Sequence, residues 1–338
     1  MTRASTRRTP TKRPAPRLIA GVLAAAVAVF AAGAHGADAA WPSHPIRIVV
    51  AQSPGGPPDL IGRFVAERLA RALGSPVVVD NRPGASGIIG VEQVARSAPD
   101  GHTLLIATMS THVLVPLVSA KVPYDPVGDF VPVSNLFRTI KALWVKAALP
   151  PRTLREFVDY ATARPGELNY ATGGVGSSNH VDAAWFVQAA GLDLVHVPYN
   201  GPAAGIAAVA GGDAQMMVVS ITTGLPLAQS GRVRPLAVFS DRRAALLPGV
   251  PTAAEQGMGA VDLAAWIGLM APAGTPPEIV DRLNVAVTRI LREPETVDWA
   301  DRHGMEIAAG SRAEFARTIE RDRLRWGEFV GRMRIAPH

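Results

Sequence analysis

The chain has 338 residues, no cysteine, and 34 Lys and Arg against 28 Asp and Glu, a formal net charge of +6. Without cysteine it forms no disulfide or thiolate metal site, and it offers no cysteine nucleophile or lipid-attachment site. The positive charge would suggest nucleic-acid binding. However, residues 1–39 carry six positive charges and one negative charge, which leaves +6 − 5 = +1 for the remainder. We therefore expect no nucleic-acid binding.

The amino-terminal segment has the three parts of a secretory signal peptide. Basic residues up to Arg17 are followed by an apolar run at 18–32 and by Ala37-Asp38-Ala39, a cleavage site of the A-x-A type. The run is short for a permanent membrane span. We predict a signal peptide over residues 1–39 and a periplasmic mature protein. The pair Arg7-Arg8 leaves both the general and the twin-arginine export routes open.

Beyond this segment, short apolar runs alternate with amphipathic helical patterns. Strands are predicted at 46–50, 77–79, 104–107, 168–172, 195–197, 215–219, 235–239 and 265–270. Helices are predicted after residue 58, near 88, over 153–164, from 179, up to 211 and from 311. Thr153-Leu154-Arg155-Glu156 and Ser311-Arg312-Ala313-Glu314 have the spacing of a capping box at two of these starts. This alternation predicts an α/β fold with mostly parallel sheets flanked by helices. The length predicts two lobes rather than one core.

A glycine-rich loop joins a strand to a helix once in each half of the chain. The first is Ser53-Pro54-Gly55-Gly56, and the second spans residues 173–178. Glycine lets a ligand approach the backbone, and the start of a helix offers unpaired N–H groups and the positive end of its dipole. We interpret the loops as two sides of an anion-binding cleft. The alternative is that the glycines only form tight turns.

Individual side chains near these loops have two interpretations each. Asp59 either caps the following helix or orders the loop before it. Asn81 either forms a turn, which is its more typical role, or contacts a ligand. Arg63 and Arg82 are either solvated or paired at the surface. Tyr199 could close over a ligand or pack against the next helix.

Enzyme motifs are weak in this sequence. The run from Gly84 to Gly90 is G-x-x-G-x-x-G rather than the dinucleotide fingerprint, and Gly176-Ser177-Ser178 is no nucleophile elbow. Ser177 and His180 could serve as nucleophile and base, but their spacing at a helix start favours capping and ligand contact. We expect no enzyme activity and no metal or organic cofactor. The alternative is a secreted serine-dependent hydrolase of esters or amides.

Short motifs follow one another along the whole mature chain. In the first half they are Pro54-Gly55-Gly56-x-x-Asp59, Asn81-Arg82-Pro83-Gly84-Ala85-x-Gly87-x-x-Gly90, Pro99-Asp100-Gly101-x-Thr103-Leu104-Leu105 and Tyr124-Asp125. In the second half they are Gly173-x-x-Gly176-Ser177-x-x-His180, Val197-Pro198-Tyr199-x-Gly201, Pro251-Thr252-x-x-Glu255-x-Gly257 and Ala271-Pro272-Ala273-Gly274-Thr275-Pro276. This ordered set resembles the Bug family, the substrate-binding proteins of tripartite tricarboxylate transporters.

The resemblance implies a two-lobed periplasmic binding protein of the flytrap type, which holds a carboxylate through backbone amides and ordered waters. It implies crossovers near Ala142 and Leu263, hence one lobe of residues 40–142 plus 264–338 and a second of residues 143–263. It also implies a monomer that delivers its ligand to a tripartite membrane permease or to a sensor ectodomain.

The expected ligand-binding residues are carried over motif by motif. They are Pro54, Gly55, Gly56, Asp59, Gly87, Ser110, Gly173, Gly176, Ser177, His180, Tyr199 and Asn200. Asn200 stands where many members of the family have a basic residue. Ser220-Ile221-Thr222 follows a strand after which many members have an acidic residue. That change removes a partner for an ammonium group and favours a plain mono- or dicarboxylate, including aromatic ones, over an amino acid.

Overall fold

The computed structural model describes residues 1–2, 4–5, 41–119, 121–175, 177–259 and 263–333. The chain divides into two units, Met1–Ser43 and His44–His338, and both of the sheets belong to the second unit. The predicted signal peptide falls almost wholly outside the described residues, as does the predicted ligand residue Gly176. Among the described helices, none has the length and apolar content that a membrane crossing requires.

The first sheet has six strands in the order β11-β4-β10-β3-β1-β2. Its strands are β1 (Ile46–Val50), β2 (Val77–Asn81), β3 (Thr103–Thr108), β4 (Phe130–Thr139), β10 (Ala265–Pro272) and β11 (Met305–Ile307). Its helices are α1 (Pro57–Leu73), α2 (Ile88–Ala95), α3 (Val115–Val118), α8 (Pro277–Leu291), α9 (Pro294–Arg302) and α10 (Arg312–Met333).

The second sheet has five strands in the order β7-β6-β8-β5-β9. Its strands are β5 (Lys141–Lys146), β6 (Asn169–Thr172), β7 (Val195–Pro198), β8 (Met216–Ser220) and β9 (Val233–Val238). Its helices are α4 (Leu154–Thr162), α5 (Ser178–Ala189), α6 (Pro202–Gly211) and α7 (Ile221–Gln229).

Local signals place several helix starts as predicted. Thr153 caps α4, because its hydroxyl accepts the Glu156 N–H at 3.1 Å. At α10 the capping box is complete: Ser311 Oγ accepts the Glu314 N–H at 3.3 Å, and Glu314 Oε2 accepts the Ser311 N–H at 2.7 Å. These contacts satisfy backbone donors that a helix start leaves unpaired.

The α/β fold class and its two helix-flanked sheets are confirmed, but the prediction of mostly parallel strands is wrong. Strands β2, β1 and β3 run parallel, as do β7, β6 and β8. In contrast, β10 pairs antiparallel with both β3 and β4, and β5 pairs antiparallel with both β8 and β9. Both sheets are therefore mixed. The reason is that β5 and β10, the first strands after the two crossovers between the sheets, are antiparallel to both of their neighbours.

The chain passes from the first sheet to the second at Ile140, the single residue between β4 and β5. It returns between β9 and β10, so the last strands and helices complete the first sheet. The exact limits of the two lobes stay a prediction. The strand order shows, however, that segments from both ends of the chain build one sheet.

A continuous apolar core joins both sheets on the side covered by α5 and α10. It includes Leu105 and Trp326 from the first sheet and its helices, and Phe157 and Phe186 from helices of the second. Trp266 is buried there, and its indole N–H donates to Asp322 Oδ2 at 3.1 Å. The packing is tight enough that Gly268 has no room for a side chain beside Phe315.

Replacing Gly268 with alanine is expected to lower the free energy of unfolding by about 1–3 kcal/mol, because the added methyl overlaps the Phe315 ring. Urea denaturation followed by circular dichroism measures the change. Gly249→Ala is the matched control, since nothing lies within 4 Å of a methyl there. Equal midpoints for both variants would contradict the packing described.

Candidate functional site

The predicted ligand residues of the first half lie at one edge of the first sheet. Parallel strands β1, β2 and β3 end at Val50, Asn81 and Thr108. Thr108 pairs with Ile267 of β10, which pairs with Phe137 near the end of β4. The loops that follow these three strands therefore lie at the edge where β4 leaves for the second sheet.

The loops of the second half lie at the corresponding edge of the second sheet. Ser220, the last residue of β8, pairs with Lys141, the first residue of β5. Strand β6 runs parallel to β8 and ends at Thr172, immediately before Gly173. Both glycine loops thus lie at the sheet edges that the crossover at Ile140 joins. Ligands of α/β proteins bind at such carboxyl edges.

Asp59 holds the first glycine loop in place. Its buried carboxylate accepts the Gly55 N–H at 2.9 Å, the Arg63 Nε–H at 3.1 Å and the Asn81 amide at 2.9 Å. The same Asn81 amide lies within hydrogen-bond distance of Gln52 O, at 3.2 Å. The cap of α1 is Gly56 and makes no side-chain hydrogen bond. Of the two interpretations of Asp59, loop ordering is the one that its contacts support.

The protonation of Asp59 follows from these contacts. Burial raises the pKa of the carboxyl, but hydrogen bonds from Arg63, Gly55 and Asn81 outweigh burial and lower the pKa below 3.8. The group is therefore an anion at neutral pH, paired with Arg63 at 3.0 Å. Arg82 likewise pairs with Asp80 at 2.9 Å, as expected of a surface cation.

The turn before α2 brings Gly87 against the first loop. A methyl on Gly87 would lie 2.7 Å from Thr111 Cγ2 and 3.3 Å from Ala51 O. Ala85 and Ser86 adopt left-handed backbone conformations, with φ of 45° and 56°. Such conformations cost about 1–3 kcal/mol each outside glycine and cluster at ligand clamps. Gly87 was predicted from its motif, but no sequence pattern marked its two strained neighbours.

Ser110 begins a π-helical turn, Ser110–Leu114, directly after β3. Thr108 and Tyr124 hold this turn in place: Thr111 Oγ1 lies 3.2 Å from Thr108 Oγ1, and the Tyr124 hydroxyl donates to Thr111 O at 2.7 Å. Ser110 is half-buried at the same sheet edge as Gly87. The first-half residues therefore form one surface made by three adjacent loops.

Ser177 and Asn179 shape the second glycine loop. Ser177 Oγ lies 2.6 Å from both Gly174 O and Asn179 Oδ1, and it accepts the His180 N–H as the cap of α5. Asn179 Oδ1 also accepts the Gly173 N–H at 3.2 Å. Sequence reasoning missed Asn179. Its place in the first turn of a predicted helix was the available signal.

The loop before α6 packs directly on Gly173. A methyl there would lie 2.9 Å from Pro202 N and 3.1 Å from Gly201 C. The Tyr199 N–H donates to Thr172 O at 3.0 Å. The Tyr199 side chain is half-buried against the core around β5 and β8, so of its two interpretations packing is observed. Asn200 is exposed at the tip of this loop.

His180 belongs to a stack of rings that the sequence did not reveal. Its ring lies 4.1 Å from the His196 ring at 8°, and His196 stacks on Tyr170 at 5.0 Å. His196 Nε2 lies 2.7 Å from Thr172 Oγ1, and burial lowers the pKa of His196. His196 is therefore neutral at pH 7. The stack supports the second loop from the side of the sheet.

A buried ion pair lies beneath the crossover. Lys141 Nζ donates to Asp182 Oδ2, and both side chains are almost inaccessible to solvent. Burial raises the pKa of Asp182 to about 6, against the opposing effects of Lys141 and Arg325. A lone Lys before the apolar run 142–145 and a lone Asp in 181–184 were the sequence signals for this pair, which the sequence analysis did not use.

A cavity of about 280 Å³ lies between the first sheet and α10. It is lined by Met109, Asn135, Arg138, Ala264, Trp266, Thr318, Arg321, Asp322, Arg325 and Trp326. It adjoins Ser110 through Met109, but none of the predicted ligand residues lines it. The glycine loops and this cavity are therefore two separate candidates for holding an anion.

Comparison with known proteins decides the family. Residues 61–335 match the sequence model described as "Tripartite tricarboxylate transporter family receptor". The chain belongs to this family. As a tripartite tricarboxylate transporter receptor it is a periplasmic solute-binding protein, and the resemblance to Bug proteins is confirmed. One similar relative is BugT of Bordetella pertussis, 34% identical over 259 residues that cover 76% of this chain and 79% of BugT.

Other relatives span nearly the whole receptor. The "UPF0065 protein in tcbD-tcbE intergenic region" of Pseudomonas sp. (strain P51) is 35% identical over 321 residues, 94% of each chain. The solved structure "R. palustris Rpa4515 with adipate" is 34% identical with a TM-score of 0.81 and covers 88% of this chain and 100% of its own. MatC (Rpa3494) from Rhodopseudomonas palustris with bound malate is 30% identical with a TM-score of 0.75, and the match covers 86% of this chain and 100% of the MatC chain.

In the receptor, Asp59→Asn is expected to lower the free energy of unfolding at pH 7 by about 2 kcal/mol, because charge-assisted hydrogen bonds are lost. The folded-state pKa of Asp59 lies below 3.8, so its contribution is complete above that pH and disappears as the pH falls through the folded-state pKa. Urea midpoints at pH 7, 5 and 3.5 measure this. Glu67→Gln, an exposed change on the same helix, is the control. A difference that grows at acidic pH would contradict the assignment.

Lys141→Met is expected to destabilise the receptor by about 3–5 kcal/mol, because Asp182 is left buried without its cation. The loss is smaller at pH 5 than at pH 8, since a protonated Asp182 carries no unpaired charge. The double variant Lys141→Met/Asp182→Leu recovers most of the stability. Thermal unfolding measures all three proteins. The control Lys146→Met, in the same strand but solvent-exposed at its head group, changes little. A double variant no better than Lys141→Met would contradict the pairing.

Proposed function

We propose that this receptor captures one small mono- or dicarboxylate between two lobes, residues 40–142 plus 264–338 and residues 143–263, and does not transform it. The observation that carries the proposal is the position of the two glycine loops, at the two sheet edges joined by the crossover at Ile140. Closure of the lobes by hinge motion around the ligand then brings backbone donors from both loops to one anion.

The loops are suited to an anion without a dedicated arginine. Helices α1 and α5 begin directly after Gly56 and Ser177, so the positive ends of their dipoles lie at the loops. The first two residues of α1 are prolines, which have no N–H, so they add no donor to those of the loop. The charge of Asp59 is already compensated by Arg63 at 3.0 Å and does not repel a carboxylate. Both loops are held by their own side chains before any ligand arrives. This reduces the ordering cost of binding.

The ligand class rests on two similar structures and on one departure in this chain. The Rpa4515 and MatC structures hold adipate and malate, both dicarboxylates. At the end of β8 this receptor has hydroxyls: Ser220 Oγ lies 2.7 Å from Thr223 Oγ1 and 3.3 Å from Thr222 Oγ1. Hydroxyls can donate to a second carboxylate but supply no charge for an ammonium group. We therefore favour plain carboxylates, including aromatic ones, over amino acids.

The alternative of a serine-dependent hydrolase has little support in the site. The Ser177 hydroxyl is engaged by Gly174 O and Asn179 Oδ1, which are capping and loop contacts. The His180 ring is stacked on the His196 ring, with centroids 4.1 Å apart. The comparisons give receptors of the same family rather than hydrolases.

The proposal also includes the partners of the receptor. We propose that the receptor is a monomer and that it delivers its ligand to a tripartite permease or to a sensor ectodomain.

Thermal unfolding against a ligand panel tests the function. The receptor is refolded to strip bound ligand and is then heated with adipate, malate, benzoate, glutamate or aspartate. Binding to the folded state alone stabilises by RT ln(1 + [L]/Kd), about 2.7 kcal/mol at a hundredfold excess over Kd. A carboxylate is expected to raise the Tm more than either amino acid. An unchanged Tm with every carboxylate would contradict the proposal. A larger rise in Tm with an amino acid than with the other carboxylates would contradict only the proposed ligand class.

Three variants locate the ligand by calorimetry. Gly56→Leu is expected to weaken carboxylate binding by about tenfold or more, because its side chain blocks approach to the loop backbone. Gly249→Leu, at a position with open space, leaves binding unchanged. Arg321→Gln, in the cavity beside α10, also leaves it unchanged if the loops hold the ligand. Loss of binding in Arg321→Gln alone would assign the carboxylate to the cavity.

A further inference from the structure

Three metal-ligating side chains meet at the edge of the first sheet opposite the glycine loops. His44 precedes β1, and Asp100 and His102 precede β3. One imidazole nitrogen from each histidine and one carboxylate oxygen all lie within 4.8 Å of one another. His44 is far from Asp100 and His102 in the sequence, so no local pattern marked the three residues as metal ligands.

Strand pairing brings these residues together. Strands β1 and β3 are parallel neighbours with Arg47 opposite Thr103, and the Arg47 N–H donates to His102 O at 2.8 Å. The segments just before the two strands therefore lie side by side. The His44 and His102 rings stack with centroids 3.6 Å apart at 26°. The two histidines therefore lie side by side because β1 and β3 are paired in the sheet.

Two of the three ligands are already held in position. The His102 side chain is 8% exposed, and its Nδ1 lies 3.4 Å from Asp100 Oδ1. The same carboxylate oxygen accepts the His102 N–H at 2.9 Å. The backbone of His44 is tied to the sheet by the Ser75 hydroxyl, which donates to His44 O at 3.3 Å. Only the exposed His44 ring must turn to complete a site.

We propose that His44, Asp100 and His102 bind one divalent transition-metal ion of the zinc type. Two imidazoles and a carboxylate are donors that Zn²⁺ accepts at about 2.0–2.2 Å. Three protein ligands with water in the fourth position complete a tetrahedral ion. Mg²⁺ and Ca²⁺ prefer oxygen donors throughout and are not expected here.

The site is independent of carboxylate capture. Strands β1 and β3 separate it from the loops that follow Val50 and Thr108. A bound ion joins the segment before β1 to the turn before β3. Since the ion binds the folded chain, it raises the Tm without changing affinity for a carboxylate.

Calorimetric titration of the tag-free receptor, washed with chelator, tests the proposal with Zn²⁺, Ni²⁺, Cu²⁺, Mg²⁺ and Ca²⁺. One equivalent of Zn²⁺ is expected to bind, Cu²⁺ more tightly and Mg²⁺ and Ca²⁺ not at all. Co²⁺ substitution adds a spectroscopic readout, because tetrahedral Co²⁺ has intense visible absorption that hexaaqua Co²⁺ lacks.

The variants His44→Gln, Asp100→Asn and His102→Gln are each expected to weaken Zn²⁺ binding by at least about tenfold. His44→Gln changes an exposed side chain and keeps the fold, which guards against misfolding of the buried His102 variant. His303→Gln removes a histidine elsewhere and is the matched control. Unchanged Zn²⁺ affinity in His44→Gln, absence of Zn²⁺ binding, or equal loss in His303→Gln would overturn the proposal. Carboxylate titrations of the same variants keep this result separate from the proposed function.

Discussion

The passage of the chain from one sheet to the other through a single residue, Ile140, is the constraint on which the remaining structure depends. The carboxyl edges of both sets of parallel strands meet this passage. That arrangement places loops far apart in the sequence at the two sheet edges that Ile140 joins. The buried pair of Lys141 and Asp182 lies at the same place, so the first residue of the second sheet is tied to the helix that follows its glycine loop.

The charge of Asp59 is compensated before a ligand arrives. Asp59 is paired with Arg63 and accepts the Gly55 N–H, so an acidic side chain orders a loop that we propose binds an anion. In the second loop, neutral groups of Ser177 and Asn179 have the same role. The proposed ligand donors are therefore backbone N–H groups of the two loops and of the start of α5.

Much of the fold could be predicted because its signals are local. Apolar runs marked most of the strands, and the Thr153 and Ser311 capping patterns marked two helix starts. Strands β4, β5 and β11 escaped prediction. In β4, Pro132, Ser134 and Asn135 interrupt the apolar pattern. Its burial comes from β10 and α10, which lie more than a hundred residues later in the chain, and no local pattern reports such a partner.

The sequence by itself determined the α/β class and the places where glycine loops follow strands, because periodicity and turn chemistry act between near neighbours. The family was indicated by the resemblance of its ordered motifs to those of Bug proteins. Only the tertiary structure decided that the sheets are mixed, that Asp59 orders a loop rather than capping a helix, and that His44 lies beside His102. These facts depend on strand order and register. Strand order and register are set by burial of whole faces across the molecule, not by the residues on either side.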